Sequence, residues 1–520
     1  MGSYHSLHKA PLAVLLMLSF LLPAKTSVFA DNTRINEWGL GTSTHLRLGI
    51  EAVPAALQQA RELGFTWVRE QMPWSEIEPK AGEFRFSYSV NSLNRDFDRL
   101  VEDVDAQGLK LLVVLDGGPL YLAHAAPDQP VDEDLLLEAW KRYVEILADR
   151  YGQQVDGWEI GSSVNTAAGW GRFMFPSGGN ALPDPALFDK LLRIAERAFH
   201  DANPAARIIL GGLELSSSNG CPLPPAYFLN QLAALGAWHS FDVVSLNASR
   251  APLPLESGVL PATDCTTALT FEGDTAAIQA LFEKEGDKPV WVTSFSWSQG
   301  RLQSLADAYG CSTEGLQTEQ VLRSVISAIS QPGVSMVFAA SQADPVGKSG
   351  YALTPLTLTA LSQLMAELNG ALPLGRVENG VFEYRFRTGA NQSVYAWVDG
   401  CGNLVFPFIS SGWTDWKLTV YDQAGNGMPV SVDEDGNAVA TVGSYPSLMQ
   451  ASPASFMSRL SLSLEDTLNG WKESALRSLG GWADEQRVVL RQKGSALLEQ
   501  GKERAASWFK QLILDLVEDL

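Results

Sequence analysis

The chain is poor in the residues that build metal, cofactor and nucleic-acid sites. Its 520 residues include four cysteines, six histidines, and 38 lysines and arginines against 59 aspartates and glutamates. Cys221, Cys265, Cys311 and Cys401 do not have zinc-site spacing, and no other group of residues has metal-ligand spacing, so no metal is expected. No Gly-x-Gly-x-x-Gly turn follows the first candidate strand, and no other cofactor motif appears. The formal charge of -21 argues against nucleic acid or an anionic membrane surface as the main partner, because long-range repulsion slows the encounter. It also disfavours a strongly acidic polymer such as alginate, unless a local basic cleft overrides the net field. A neutral polysaccharide remains open.

Long apolar runs are scarce as well. The one near the amino terminus, Ala10 to Leu22, follows His5, His8 and Lys9 and precedes Val28-Phe29-Ala30, a small-residue cleavage pattern before Asp31. Residues 1–30 therefore read as a secretory signal, with an uncleaved signal anchor as the alternative. The run is short for a membrane span, and no later segment is apolar enough for one, so membrane contact is not expected beyond this segment. The expected location is periplasmic or extracellular. Export makes the four cysteines disulfide candidates with three possible pairings, and Cys221 with Cys265, each in a loop after a candidate strand, is the favoured one.

From about residue 40 to 365 short apolar runs alternate with amphipathic stretches, as in a parallel sheet covered by helices. The candidate strands are Leu46 to Ile50, Thr66 to Glu70, Leu111 to Asp116, Val155 to Ile160, Ile208 to Leu213, Phe241 to Leu246, Val290 to Phe295 and Val334 to Ala339. Eight such units favour a (β/α)8 TIM barrel over a doubly wound open sheet. The expected fold class is α/β, organised as a signal over 1–30, a (β/α)8 barrel over 31–368, a small β-sandwich over 369–450 and an amphipathic helical tail over 451–520. The sandwich rests on short alternating strands (Val381 to Arg387, Val394 to Val398, Leu404 to Ile409, Leu418 to Tyr421, Val439 to Val442) and on the hairpin signal Asp435-Gly436. It is read as a buttress of the barrel or as a separate carbohydrate-binding face. In the tail Leu490, Leu497, Trp508, Leu512 and Leu516 recur at helical spacing. That stripe is read as packed core, as a docking element for a protein partner through residues 453–520, or as a membrane-surface helix, which its mixed charges disfavour.

Two segments carry the functional signal. Gly157-Trp158-Glu159-Ile160-Gly161-Ser162-Ser163-Val164-Asn165 and Pro289-Val290-Trp291-Val292-Thr293-Ser294-Phe295-Ser296-Trp297 resemble the fourth and seventh barrel strands of clan A glycoside hydrolases. In that clan the patterns read roughly Trp-Glu-Ile-Trp-Asn-Glu-Pro-Asn and Trp-Val-Thr-Glu-Phe-Gly-Trp. The resemblance spans the whole barrel segment and includes Gly64-Phe65-Thr66-Trp67-Val68-Arg69 with Trp74, where Arg69 matches the clan's active-site arginine. It places Ser163 at the general acid/base and Ser294 at the nucleophile. Ser162 stands for asparagine, Asn247 for histidine, and Ala339 for a tryptophan that often stacks on sugar. Glu159 is part of the clan's strand pattern and is not its acid/base.

Retaining glycosidases need one carboxyl group to protonate the leaving oxygen and a second, about 5 to 5.5 Å away, to attack the anomeric carbon. Serine does neither unaided, and as a nucleophile it needs an adjacent base. No histidine lies near either serine in sequence; His45, His124, His200 and His239 are those of the mature chain, and a Ser-His-Asp arrangement is left to three dimensions. Catalytic residues are therefore not expected at the degenerate positions Ser163 and Ser294. Glu70, Asp116, Glu214 and Asp344 fall at or just beyond candidate strand ends, where relocated carboxylates would act, or would bind backbone or Arg69. Trp74, Trp170, Phe173, Phe175 and Trp297 lie in loops or at strand ends, as sugar-stacking surfaces or as core anchors. The expected ligand-binding set is Arg69, Trp74, Asp116, Trp170, Asn247 and Trp297, with a polysaccharide as partner. The reading is an exported pseudo-glycosidase that binds or guides a polysaccharide, as in exopolysaccharide assembly or export. An active glycoside hydrolase with relocated carboxylates and an interaction protein acting through the tail are the alternatives.

Overall fold

The structure is a computed structural model. It describes residues 37–42, 49–90, 92–123, 129–215, 223–248, 255–256, 270–295, 299–341, 353–378, 381–398, 406–410, 412–414, 416–421 and 426–454. The signal segment, the tail from residue 455, Trp297, Asp344 and the Cys221–Cys265 pairing lie outside these residues.

In chain order the first ten strands are β1 Gly39–Thr42, β2 Trp67–Gln71, β3 Ser87–Val90, β4 Leu93–Asp96, β5 Lys110–Leu115, β6 Gly157–Ser162, β7 Arg207–Glu214, β8 Val243–Asn247, β9 Val290–Phe295 and β10 Val334–Ser341. β3 and β4 form a hairpin. The other eight close a parallel barrel in the order β1-β10-β9-β8-β7-β6-β5-β2. The open-sheet alternative is thereby excluded. Every expected strand after the first is present close to its expected bounds, but the first is not Leu46 to Ile50. That run ends in a turn of 3-10 helix over Ile50–Ala52, and the barrel begins instead at Gly39–Thr42. Small residues suit that place: a Cβ on Gly39 would lie 2.2 Å from the ring of Phe338 on the neighbouring strand.

Alternate residues divide each strand between two environments. Val68, Leu111, Val113, Ile160, Ile208, Leu210, Val244 and Val292 join the large core under the outer helices. Trp67, Leu112, Ile209, Val243, Trp291, Met336 and Phe338 form a separate plug toward the amino ends of the strands. Trp67 and Trp291 meet edge to face at 5.1 Å. Arg207 lies over both rings, so the base of the barrel is filled and capped by charge. Helix starts follow local chemistry, with Asp96, Asp132, Thr166, Asp184, Thr270, Ser312 and Thr354 each accepting a backbone N–H as N-cap.

The remaining strands are β11 Leu372–Glu378, β12 Phe382–Thr388, β13 Asn391–Trp397, β14 Phe406–Ser410, β15 Trp416–Tyr421, β16 Gly427–Val430, β17 Ala438–Val442 and β18 Ser447–Pro453. They form a six-stranded antiparallel sheet, β11-β12-β13-β18-β15-β16, and a two-stranded sheet, β14-β17. Tyr384, Phe386, Tyr395 and Trp397 belong to the same apolar cluster as the barrel's outer core. The helix Thr313–Ile329 explains the attachment, because it is buried from Leu316 to Ile329, polar residues included. Some of those polar residues bond across the junction. Ser444 donates to Glu319 at 3.0 Å and Ser327 meets Tyr384 at 3.2 Å. Arg323 donates to Glu256 at 2.6 Å, and Trp397 donates to the same carboxylate oxygen at 3.1 Å. The buttress reading of the sandwich matches this burial.

Both side chains of the Arg323–Glu256 pair are fully buried. Removing one partner strands a charge, at a cost of about 3 kcal/mol. Glu256→Ala is therefore expected to lower the unfolding free energy by an amount of that order, read as a lower guanidinium midpoint followed by tryptophan fluorescence. An unchanged midpoint would show that the junction does not depend on the pair.

Candidate mouth of the barrel

Above the apolar plug the barrel interior turns polar. Glu159, from the middle of β6, is fully buried, and Arg69 from β2 grips it with two bonds of 2.7 and 3.0 Å. The same carboxylate accepts the backbone N–H of Gly212 at 3.0 Å and the hydroxyl of Ser245 at 3.3 Å, and Ser245 in turn meets Thr293. One side chain thus links strands β2, β6, β7, β8 and, through Ser245, β9. Arg69, expected to touch ligand, keeps 18% of its side chain exposed while committed to this pair.

At the carboxyl ends of the strands the expected positions come together. Ser163 follows β6 with φ of 55°, a left-handed backbone that is costly for a residue with a Cβ and is found preferentially at functional sites. Its amide donates to Gly212 O at 2.6 Å and its hydroxyl donates to Glu214 Oε1 at 2.8 Å. Asn247, at the end of β8, donates from Nδ2 to Ser163 Oγ at 3.1 Å and lies 3.5 Å from Glu214 Oε1. Its Oδ1 is buried and has no donor. Gly212 makes room for this amide, since a Cβ there would sit 2.4 Å from Oδ1. Ser294 pairs in register with Asn247, which places it on the same rim.

Two residues that the sequence did not single out complete the arrangement. Asn165 is fully buried, accepts from Glu214 N at 2.8 Å and donates to Glu214 O at 2.9 Å, so it fixes the backbone that carries the carboxylate. Its presence in the strand motif was the available signal. Arg172, on the helix Ala167–Met174, donates to Asp116 Oδ2 at 2.7 Å and to Ser162 O at 2.5 Å. Its side chain is 43% exposed, and no motif marks it in the sequence.

Other expected residues are placed differently. Trp74 and Trp170 present no face to a ligand. Trp74 is fully buried, stacks on Tyr143 at 5.0 Å and donates to Glu78 at 2.8 Å. Trp170 is 2% exposed and packs with Phe173 and Phe188. Phe173 is buried beside it. Glu70 is 3% exposed, with one oxygen near Gln71 N at 3.3 Å, and does not join the Ser163 cluster. Asp116 joins the rim, but as the partner of Arg172.

Burial governs the two rim carboxyls. It pushes Asp116 above its ordinary value, against the charge and hydrogen bond of Arg172. It pushes Glu214 up too, against the hydrogen bonds of Ser163 and Asn247 and the more distant charge of Arg172. No group of three or more metal-ligating side chains occurs among the described residues. No helix among them is long and apolar enough to cross a membrane.

No protein-family model matches the chain, and no curated protein matches it. Solved structures do. A family 39 glycoside hydrolase from the gut symbiont Bacteroides cellulosilyticus WH2 aligns with a TM-score of 0.57 at 15% identity, over 81% of this chain and 81% of that one. The fold is that of the clan A glycoside hydrolases. A family 5 glycoside hydrolase from Bacteroides vulgatus gives 0.51 at 14% identity over 82% and 93%, and another glycoside hydrolase gives 0.51 at 12% over 82% and 96%.

The raised value of Glu214 has a direction that can be measured. The folded chain holds this proton to higher pH than the unfolded chain does, so the stabilisation is present below about pH 4.5 and is lost as pH rises through the folded value. Glu214→Gln carries no such loss. Its stability relative to the unmodified chain is expected to climb between pH 4.5 and neutrality in denaturation series; a difference that stays flat with pH would contradict the burial of this carboxyl.

Proposed function

We propose that the chain is an exported, catalytically degenerate glycoside hydrolase-like protein that binds a polysaccharide in the barrel mouth and guides it rather than cutting it. One observation carries this reading. At the place the clan gives to its acid/base stands a serine whose hydroxyl is already donated to Glu214 and held by Asn247. A hydroxyl in that state cannot protonate a leaving alkoxide, and no histidine among the described residues bonds to it as a base. Serine also occupies the nucleophile position in the strand β9 motif. What remains at the rim is a hydroxyl, an amide, a carboxyl and a guanidinium, the groups that read sugar hydroxyls, and such binding needs no acid or nucleophile. Export is supported by the amino-terminal segment. Polysaccharide assembly or export is the setting that fits a secreted barrel without its catalytic pair.

A second reading has its own observation. Glu214 is a carboxyl with a raised pKa at the barrel mouth, which is what a relocated general acid requires. Turnover separates the two. The full-length chain, incubated with aryl glycosides and polysaccharides, is expected to release no sugar while calorimetry detects binding. Asn247→Ala is expected to weaken that binding about tenfold, the worth of roughly one hydrogen bond. Sugar release that disappears in Glu214→Ala would replace the binding reading with the enzymatic one. Introducing both Ser163→Glu and Ser294→Glu tests the placement of the two motifs, with gained hydrolysis as the expected result.

A further inference from the structure

Among the described residues the rim is one donor and one positive charge short. Glu159 is paired with Arg69, Asp116 with Arg172, and the buried Glu78 with Arg142 at 2.8 Å. Glu214 is not paired: among the described residues no lysine, arginine or histidine lies within ion-pair distance of it. Arg172 acts on it only through space, because its two bonds go to Asp116 and Ser162. Glu214 Oε1 takes the Ser163 hydroxyl, while Oε2 accepts from no described group. Beside it, the nine-tenths-buried Asn247 holds an Oδ1 that no group donates to. Ser163 Oγ, which gives one hydrogen and takes one from Asn247, retains a free lone pair.

We propose that this site selects an amino sugar with a free, protonated amine, and that the ammonium pairs with Glu214 within reach of Ser163 and Asn247. The inference rests on the glycan-binding reading and names its ligand class. An ammonium supplies three donors and one positive charge, and the cluster is acceptor-rich and has no cation bonded to it among the described residues. An N-acetylated sugar supplies one N–H and no charge, and a neutral hexose supplies hydroxyls only. The net charge of -21 works in the same direction at long range, since it draws a cationic polymer toward the chain and repels an acidic one. Burial that disfavours the free carboxylate is offset once the ligand's charge sits against it.

Calorimetry on the full-length chain at physiological ionic strength, where diffuse surface attraction is screened, tests this with three hexamers of matched length: glucosamine, N-acetylglucosamine and glucose. The glucosamine hexamer is expected to bind about tenfold or more tighter than either of the others. Glu214→Gln, which keeps a polar group of the same shape, is expected to abolish that preference. Glu138→Gln, an exposed change of equal charge on an outer helix, is expected to keep it. Equal affinity for the three hexamers, or a preference that survives Glu214→Gln, overturns the amino-sugar inference and leaves glycan binding standing. Absence of binding by every hexamer overturns both.

Discussion

The buried pair of Arg69 and Glu159 is the interaction on which the arrangement of the barrel mouth depends. A carboxylate with no exposed surface has to be compensated, and here a bidentate guanidinium, a backbone amide and a serine hydroxyl all converge on it. The pair lies between the apolar plug and the rim. Below it, Trp67, Leu112, Ile209 and Trp291 fill the barrel without polar groups. Above it, Gly212, held by Glu159 through its N–H, offers its carbonyl to Ser163 and to Asn247. The height and orientation of the rim residues are thus set from the centre of the barrel outward. Both residues also lie in the strand motifs that resemble the clan.

The rim residues form one connected cluster. Ser163, Glu214 and Asn247 bond to one another, and Asn165 clamps the backbone of Glu214 from below. The left-handed backbone of Ser163 presents a hydroxyl that is bonded into this cluster. The sandwich covers a buried polar helix of the barrel and bonds to it through Ser444 and Tyr384, while Trp397 bonds to the Glu256 that pairs with its Arg323.

Most of the barrel was legible because its strands are continuous apolar runs, as expected where both faces of a parallel sheet are covered. β1 was not, since Gly39, Leu40, Gly41 and Thr42 carry little apolar signal; at Gly39 Phe338 occupies the space a side chain would take. Leu46 to Ile50 looked more like a strand than the true one. At the site, Ser163, Asn247 and Glu214 were readable because strand ends fix them. Trp74 and Trp170 were misread as ligand surfaces because each opens or occupies a short helix whose apolar side turns inward onto Tyr143 and Phe188. Arg172 and the buried polar helix left no sequence mark, since what makes them important is the neighbour that three dimensions supply.

The central claim is that the mouth holds a glycan without breaking it. A crystal structure of the full-length chain after prolonged exposure to a glucosamine hexamer tests it most directly. The account predicts an unbroken oligomer over the carboxyl ends of the barrel strands, with one amine beside Glu214 and Asn247. A shortened sugar at that place, or an intact one bound elsewhere with the mouth empty, would contradict it.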